Sequence, residues 1–171
     1  MIRVVLAEDQ SMLRSALAAL LALEDDMEII GEAADGQAAL RLVRAHEPDV
    51  LVSDIEMPGL IGLELAAQLA RDESRTRVLI ITTFARPGYV QRARHHGVSG
   101  YLLKDTPSAE LAAAIRTVAS GGTAFDSNQL NRSNALPADP LNDRDRRILR
   151  LVEEGMSNKK IAAALNLSPG T

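Results

Sequence analysis

Four places in this chain put a reactive side chain at the end of a short apolar run. Glu8-Asp9 follows Val4–Ala7, Asp54 closes Asp49–Asp54, Thr82 ends the apolar part of Arg77–Thr83, and Lys104 follows Gly100–Leu103. Three carboxylates brought together repel one another unless a cation sits among them. Mg²⁺ suits that place, because it takes oxygen ligands and usually keeps waters and phosphate oxygens in its shell. Lys104 would add a mobile point charge able to pair with a carboxylate or a phosphoryl group, and Thr82 a hydroxyl for a further oxygen. Metal, ammonium and hydroxyl together would stabilise the charge developing on a transferred phosphoryl group. Asp54 could then act as a nucleophile and form an aspartyl phosphate. Taken singly these signals are weak, since a Glu-Asp pair is commonly a solvated turn and a loop lysine usually surface. Their joint placement at several strand ends is much harder to ascribe to chance.

That chemistry requires elements that bring the four run ends together. Runs at 2–7, 27–33, 49–54, 77–83 and 100–103 read as strands, and those at 4–6, 50–52 and 78–81 are continuous Val, Leu or Ile. Such runs suit parallel strands covered on both faces. Between them, Met12–Leu23, Gly36–Ala45, Leu63–Arg71, Tyr89–His95 and Ala109–Ala119 have amphipathic helical spacing. Leu13, Ala16, Leu17 and Leu20 form one stripe of the first helix. Ser11 and Asp35 are expected N-caps, and Gly97 and Gly121 expected stops. Five βα units in about 120 residues, joined by right-handed crossovers, predict an open doubly wound parallel sheet with helices on both faces. Ligands in such sheets bind beyond the carboxyl ends of the strands.

Composition agrees with a soluble α/β chain. Of 171 residues, 46% are apolar and 25% charged, while aromatics are only 2%, so Leu, Ile, Val and Ala must fill the core. With no cysteine, a disulfide framework or thiolate metal site is excluded, and a reducing cytoplasm is the expected location. The opening MIRVVLAEDQ lacks the basic start of a signal peptide, and no run approaches the roughly 20 apolar residues of a membrane span. The net charge of −4 is uneven: residues 1–122 carry 12 basic and 17 acidic residues, residues 141–171 carry 6 and 4. Two modules with different partners would produce this asymmetry, and so would chance variation between solvated surfaces.

The stretches VVLAEDQ (4–10), DVLVSDIEMPGLIGLEL (49–65), VLIITTF (78–84) and GYLLKD (100–105) resemble the receiver domains of response regulators, specifically the NarL/FixJ group. Thr82 and Lys104 follow Asp54 by 28 and 50 residues, spacings that agree with that group. The resemblance covers residue 2 to about residue 122. It implies a flavodoxin-like five-stranded sheet of order 2-1-3-4-5, and phosphorylation of Asp54 by a sensor histidine kinase. It also implies Mg²⁺ held by Glu8, Asp9, Asp54 and the backbone carbonyl of Glu56, directly or through water. Met57-Pro58 and Gly62 would shape the loop beside the acceptor, and Glu56 and Phe84 would flank it. On phosphorylation Thr82 would move toward the phosphoryl group and Tyr101 would turn inward; an ordinary half-buried strand aromatic is the other reading of Tyr101. Dimerisation on phosphorylation is a further implication.

After Gly121-Gly122, residues 123–140 are polar and contain proline, so they read as a linker with at most one short helix. Residues 141–171 resemble the start of a LuxR-type helix-turn-helix. Leu141, Ile148, Leu149 and Val152 would form the apolar side of its first helix, with a turn at Gly155-Met156-Ser157. Ile161, Ala162 and Leu165 would pack the next helix, and Asn166-Leu167-Ser168 would lead to the recognition helix. That helix is missing from the sequence, which reads as a truncated piece of a longer DNA-binding protein. Arg144, Arg146, Arg147, Lys159 and Lys160 could touch phosphates, although solvated helix faces suit most of them better. Three other readings compete. A haloacid-dehalogenase-like phosphatase would also use an aspartyl phosphate, but carries its acidic pair on the first strand. A stand-alone phosphorelay receiver is disfavoured by the helix-turn-helix beginning. A structural module would leave the acids at several strand ends unexplained.

Overall fold

The computed structural model describes residues 1–83, 86 and 88–125. The chain divides into two units, Met1–Pro137 and Ala138–Thr171, and every described residue lies in the first. Strands β1 (Ile2–Ala7), β2 (Met27–Ala33), β3 (Val50–Asp54), β4 (Arg77–Thr82) and β5 (Gly100–Leu103) alternate with five helices. These are α1 (Ser11–Leu21), α2 (Gly36–His46), α3 (Gly62–Arg71), α4 (Tyr89–His95) and α5 (Ser108–Ala119). All strand pairings are parallel, in the expected order β2-β1-β3-β4-β5. A short β6 (Ala124–Phe125), read from sequence as the start of the linker, extends the sheet beyond β5.

Successive strand residues face opposite sides of a sheet, and the two cores show it. Val5, Leu51 and Ile80 belong to a cluster completed by α2, α3 and α4. Val4, Val50, Leu79 and Ile81 belong to another, completed by Leu21 of α1 and by Leu111, Ile115 and Val118 of α5. All five residues of β3 are buried, which explains its unbroken apolar run: the strand is central and covered twice. Fully burying each such Val, Leu or Ile contributes about 1.5–3 kcal/mol.

Helix boundaries follow the sequence closely, with corrections at α1. Asp35 caps α2 by accepting from Ala38 N–H at 2.7 Å. Ser11, expected as an N-cap, is instead the first residue of α1; Gln10 takes the cap position without a side-chain hydrogen bond. The helix stops at Leu21, two residues early. The residues turned to the core are Leu17, Ala18 and Leu21, whereas Ala16 and Leu20 of the expected stripe are exposed. Leu13, Ala16, Leu17 and Leu20 instead line one wall of a groove of about 140 Å³ whose other residues include Leu103 and Leu111. An apolar stripe read from spacing alone does not reveal which neighbour it faces. Gly97 and Gly121 follow α4 and α5 with positive φ, as expected of stops. The helix-turn-helix residues lie outside the described residues.

Candidate functional site

The carboxyl ends of β1, β3, β4 and β5 meet at one rim because four parallel strands end side by side. Glu8-Asp9 follows β1, Asp54 is the last residue of β3, Thr82 the last of β4, and Lys104 follows β5. The structure brings them together. Glu8, Asp9 and Asp54 each offer a carboxylate oxygen, and these oxygens lie within 4.8 Å of one another. Lys104 Nζ lies 2.7 Å from Glu8 Oε2 and 2.9 Å from Asp54 Oδ2. Glu8 and Asp54 are buried and Asp9 is exposed, so the cluster opens to solvent on one side.

Backbone groups fix these side chains. Gln10 N–H donates to Glu8 Oε1 at 3.1 Å, and Arg14 donates to the Glu8 carbonyl at 2.6 Å. Lys104 N–H donates to the Thr82 carbonyl at 2.8 Å, joining the ends of the fourth and fifth strands. The loop after Asp54 is closed by Gly62 N–H donating to the Ile55 carbonyl at 2.9 Å. Gly62 sits so close that a Cβ there would lie 2.2 Å from the Asp54 carbonyl oxygen, which accounts for glycine at this position. Met57 is buried beneath the loop and Pro58 exposed upon it.

The electrostatics follow from burial. Desolvation pushes the Asp54 carboxyl above the usual carboxylate range, against the pull of Lys104 and of backbone N–H groups at Glu56 and Ile55. Glu8 is raised for the same first reason, and the neighbouring Asp54 charge adds to it, while Lys104 and Gln10 oppose. Burial works against the Lys104 ammonium, but its hydrogen bonds to Glu8 and Asp54 outweigh that and lift its pKa. Three carboxylates against one ammonium leave a formal charge of about −2 in a partly desolvated space, the condition under which a hard divalent cation binds oxygen ligands. The donor set therefore fits a metal site.

Around this centre, Thr82 is buried. Tyr101, one strand over, is fully buried at 0% exposure rather than half-buried. Burial lifts its phenol well above the ordinary value; Tyr89 adds to this, while Arg86, Arg92 and the Thr82 side chain oppose it. Sequence reasoning missed Arg86, whose guanidinium pairs with Glu56 at 2.8 Å and so links the loops after β4 and β3. Arginine on a connecting loop carries no signal of its partner; only the convergence of strand ends exposes the pair. Phe84 lies outside the described residues.

A family model described as the response regulator receiver domain matches residues 4–116. The chain belongs to the response-regulator family. A second model, described as bacterial regulatory proteins of the luxR family, matches residues 139–171. Among curated relatives, the transcriptional regulatory protein DesR of Bacillus subtilis is 48% identical over all of this chain and 84% of its own length. The probable transcriptional regulatory protein NarL of Mycobacterium tuberculosis is 36% identical over 99% of this chain and 82% of its own. Of solved structures, the receiver domain of that NarL superposes with a TM-score of 0.69 at 39% identity, covering 70% of this chain and 97% of the other. The response regulator ChrA of a heme-sensing two-component system superposes at 0.67 with 34% identity, covering 98% and 83%. The response regulator is thus a transcription regulator with a receiver and a LuxR-type DNA-binding region, not a catalytic enzyme, which sets aside the phosphatase reading. A receiver implies a kinase partner. Among the described residues no helix is long and apolar enough to cross a membrane.

Proposed function

We propose that this response regulator accepts a phosphoryl group on Asp54 from a sensor histidine kinase and thereby controls transcription from the cytoplasm. The observation that carries the reading is Asp54 with Glu8 and Asp9 oxygens within 4.8 Å and Lys104 Nζ at 2.9 Å. In the transfer, an Asp54 carboxylate oxygen forms the new bond to phosphorus as the bond to the kinase histidine nitrogen breaks. Glu8, Asp9, Asp54 and the backbone carbonyl of Glu56 would hold Mg²⁺, which when bound supplies charge stabilisation at the phosphoryl oxygens. Lys104 pairs with the phosphoryl group once Asp54 carries it as an acyl phosphate, and the Thr82 hydroxyl donates to it. Phosphorylation would favour Tyr101 in the buried position beside Thr82, the local charge change biasing a two-state packing arrangement.

The domain reading that goes with this is a receiver at 1–122, a linker at 123–140 and the beginning of a helix-turn-helix at 141–171. The luxR-family match to residues 139–171 favours it over a stand-alone receiver. Phosphorylation would promote a homodimer competent to bind DNA. The exposed Met12, Leu20 and Leu23, on and just after α1, offer apolar surface for that contact.

Incubation with acetyl phosphate and Mg²⁺, followed by intact mass measurement, tests the acceptor. One added phosphoryl group is expected on the wild-type chain and none on Asp54→Asn. Labelling that persists in the variant would move the acceptor elsewhere.

A further inference from the structure

The sheet of the receiver does not end at β5. β6 lies parallel against it, with Gly100 opposite Ala124 and Tyr101 opposite Phe125. Ala124 N–H donates to the Ser99 carbonyl at 2.9 Å. The approach is close: a Cβ on Gly100 would lie 2.4 Å from Leu79 Cδ1 and 3.0 Å from the Ala124 carbonyl oxygen, so a larger residue would push on both neighbours.

A strand of two residues has few ladder hydrogen bonds to hold it. Side chains supply the rest. Residues in register on parallel strands share a face, and Phe125 packs against the cluster that contains Tyr101, Tyr89 and Val90. Arg94 of α4 lays its guanidinium over the Phe125 ring, 4.9 Å from the centroid, an electrostatic attraction to the ring face. Phe125 is thus held between the strand that carries Tyr101 and the helix that follows Thr82. In sequence it stands 14 residues before the start of the luxR-family match at residue 139.

We propose that β6 is a strap whose docking is coupled to the side-chain position of Tyr101. With Tyr101 buried, the Phe125 ring docks on the sheet edge beneath Arg94. A Tyr101 side chain swung outward from β5 toward that edge would contest the space of its registered neighbour and release the strap. The inference rests on the proposed switch at Asp54, because phosphorylation is what would favour the buried Tyr101. Coupling between two sites is reciprocal in equilibrium binding, so removing Phe125 must weaken whatever stabilises the buried state.

The test uses the full 171-residue chain with Mg²⁺ and beryllofluoride as the phosphoryl mimic, its equilibrium affinity read from amide resonances. Phe125→Ala is expected to weaken beryllofluoride binding by about three- to ten-fold, within the roughly two- to thirty-fold spanned by residues that modulate coupling without touching either ligand. Arg94→Ala should shift it in the same direction by less. In the wild-type chain, beryllofluoride should slow hydrogen exchange at the Ala124 amide. Wild-type binding with unchanged affinity in both variants and unchanged exchange at Ala124 would overturn the strap and leave the acceptor reading standing. A wild-type chain that neither binds beryllofluoride nor takes a phosphoryl group on Asp54 would overturn both. Should Phe125→Ala fail to give a native-like spectrum, Arg94→Ala and the wild-type exchange measurement still decide the question.

Discussion

Lys104 is the residue on which the site balances. Its side chain is only 10% exposed and bridges two carboxylates that are buried even more deeply. Removing one partner of a buried ion pair leaves an uncompensated charge and costs about 3–5 kcal/mol. Lys104→Met, which keeps the stem and deletes the charge, should therefore lower stability by about 3 kcal/mol in chemical denaturation at neutral pH and low divalent cation. On the proposed reading, Mg²⁺ should bind that variant more tightly and narrow its deficit, because the deleted ammonium and the metal compensate the same carboxylates. A variant whose deficit is unchanged by Mg²⁺ would separate the lysine from the metal site.

At the scale of elements, the rim is only as well placed as the helices that pin the strands. The end of the α1–β2 connection is tied to α5 by Arg116, whose guanidinium pairs with Glu24 and Asp26, each at 2.6 Å. Arg116 holds the Asp26 carboxyl below the usual carboxylate range. A carboxyl with a depressed native pKa adds stability that is present above the unfolded value, near 4, and is lost as pH falls through the native value. The melting-temperature gap between wild type and Arg116→Ala should accordingly be flat above about pH 5 and shrink as pH drops below about 4. A gap that stays constant into acid would mean the contact works through packing of the arginine stem instead.

For the whole molecule, the proposed Mg²⁺ site at the rim would couple cation binding to folding. A ligand that binds only the folded state stabilises it by about 2.7 kcal/mol at 100 times its dissociation constant. For a chain of this size that corresponds to roughly 2–4 °C of melting temperature per kcal/mol. Thermal unfolding should rise with Mg²⁺ concentration in the wild-type chain and hardly at all in Asp9→Ala, whose exposed side chain can be removed without opening the core. An equal rise in both would place the bound cation away from the acidic cluster.

Much of this was legible in the sequence because parallel strands buried on both faces write themselves as continuous Val, Leu and Ile. The elements between them repeat at helical spacing, so the order of βα units, and the reactive residues at the ends of four strands, follow from local pattern alone. What local pattern cannot carry is direction and partner. The stripe on α1 was visible, but its residues line the groove beside α5 and only Leu17 of them also packs on the sheet core, since that depends on where another helix lies. Tyr101 could be read as half-buried or inward until α4 and β6 were seen to enclose it. The Arg86–Glu56 pair and the docking of Phe125 join segments about 30 and 24 residues apart in sequence. Contacts of that kind reward no local preference; they exist only once the chain has closed its loops and the strand ends have met.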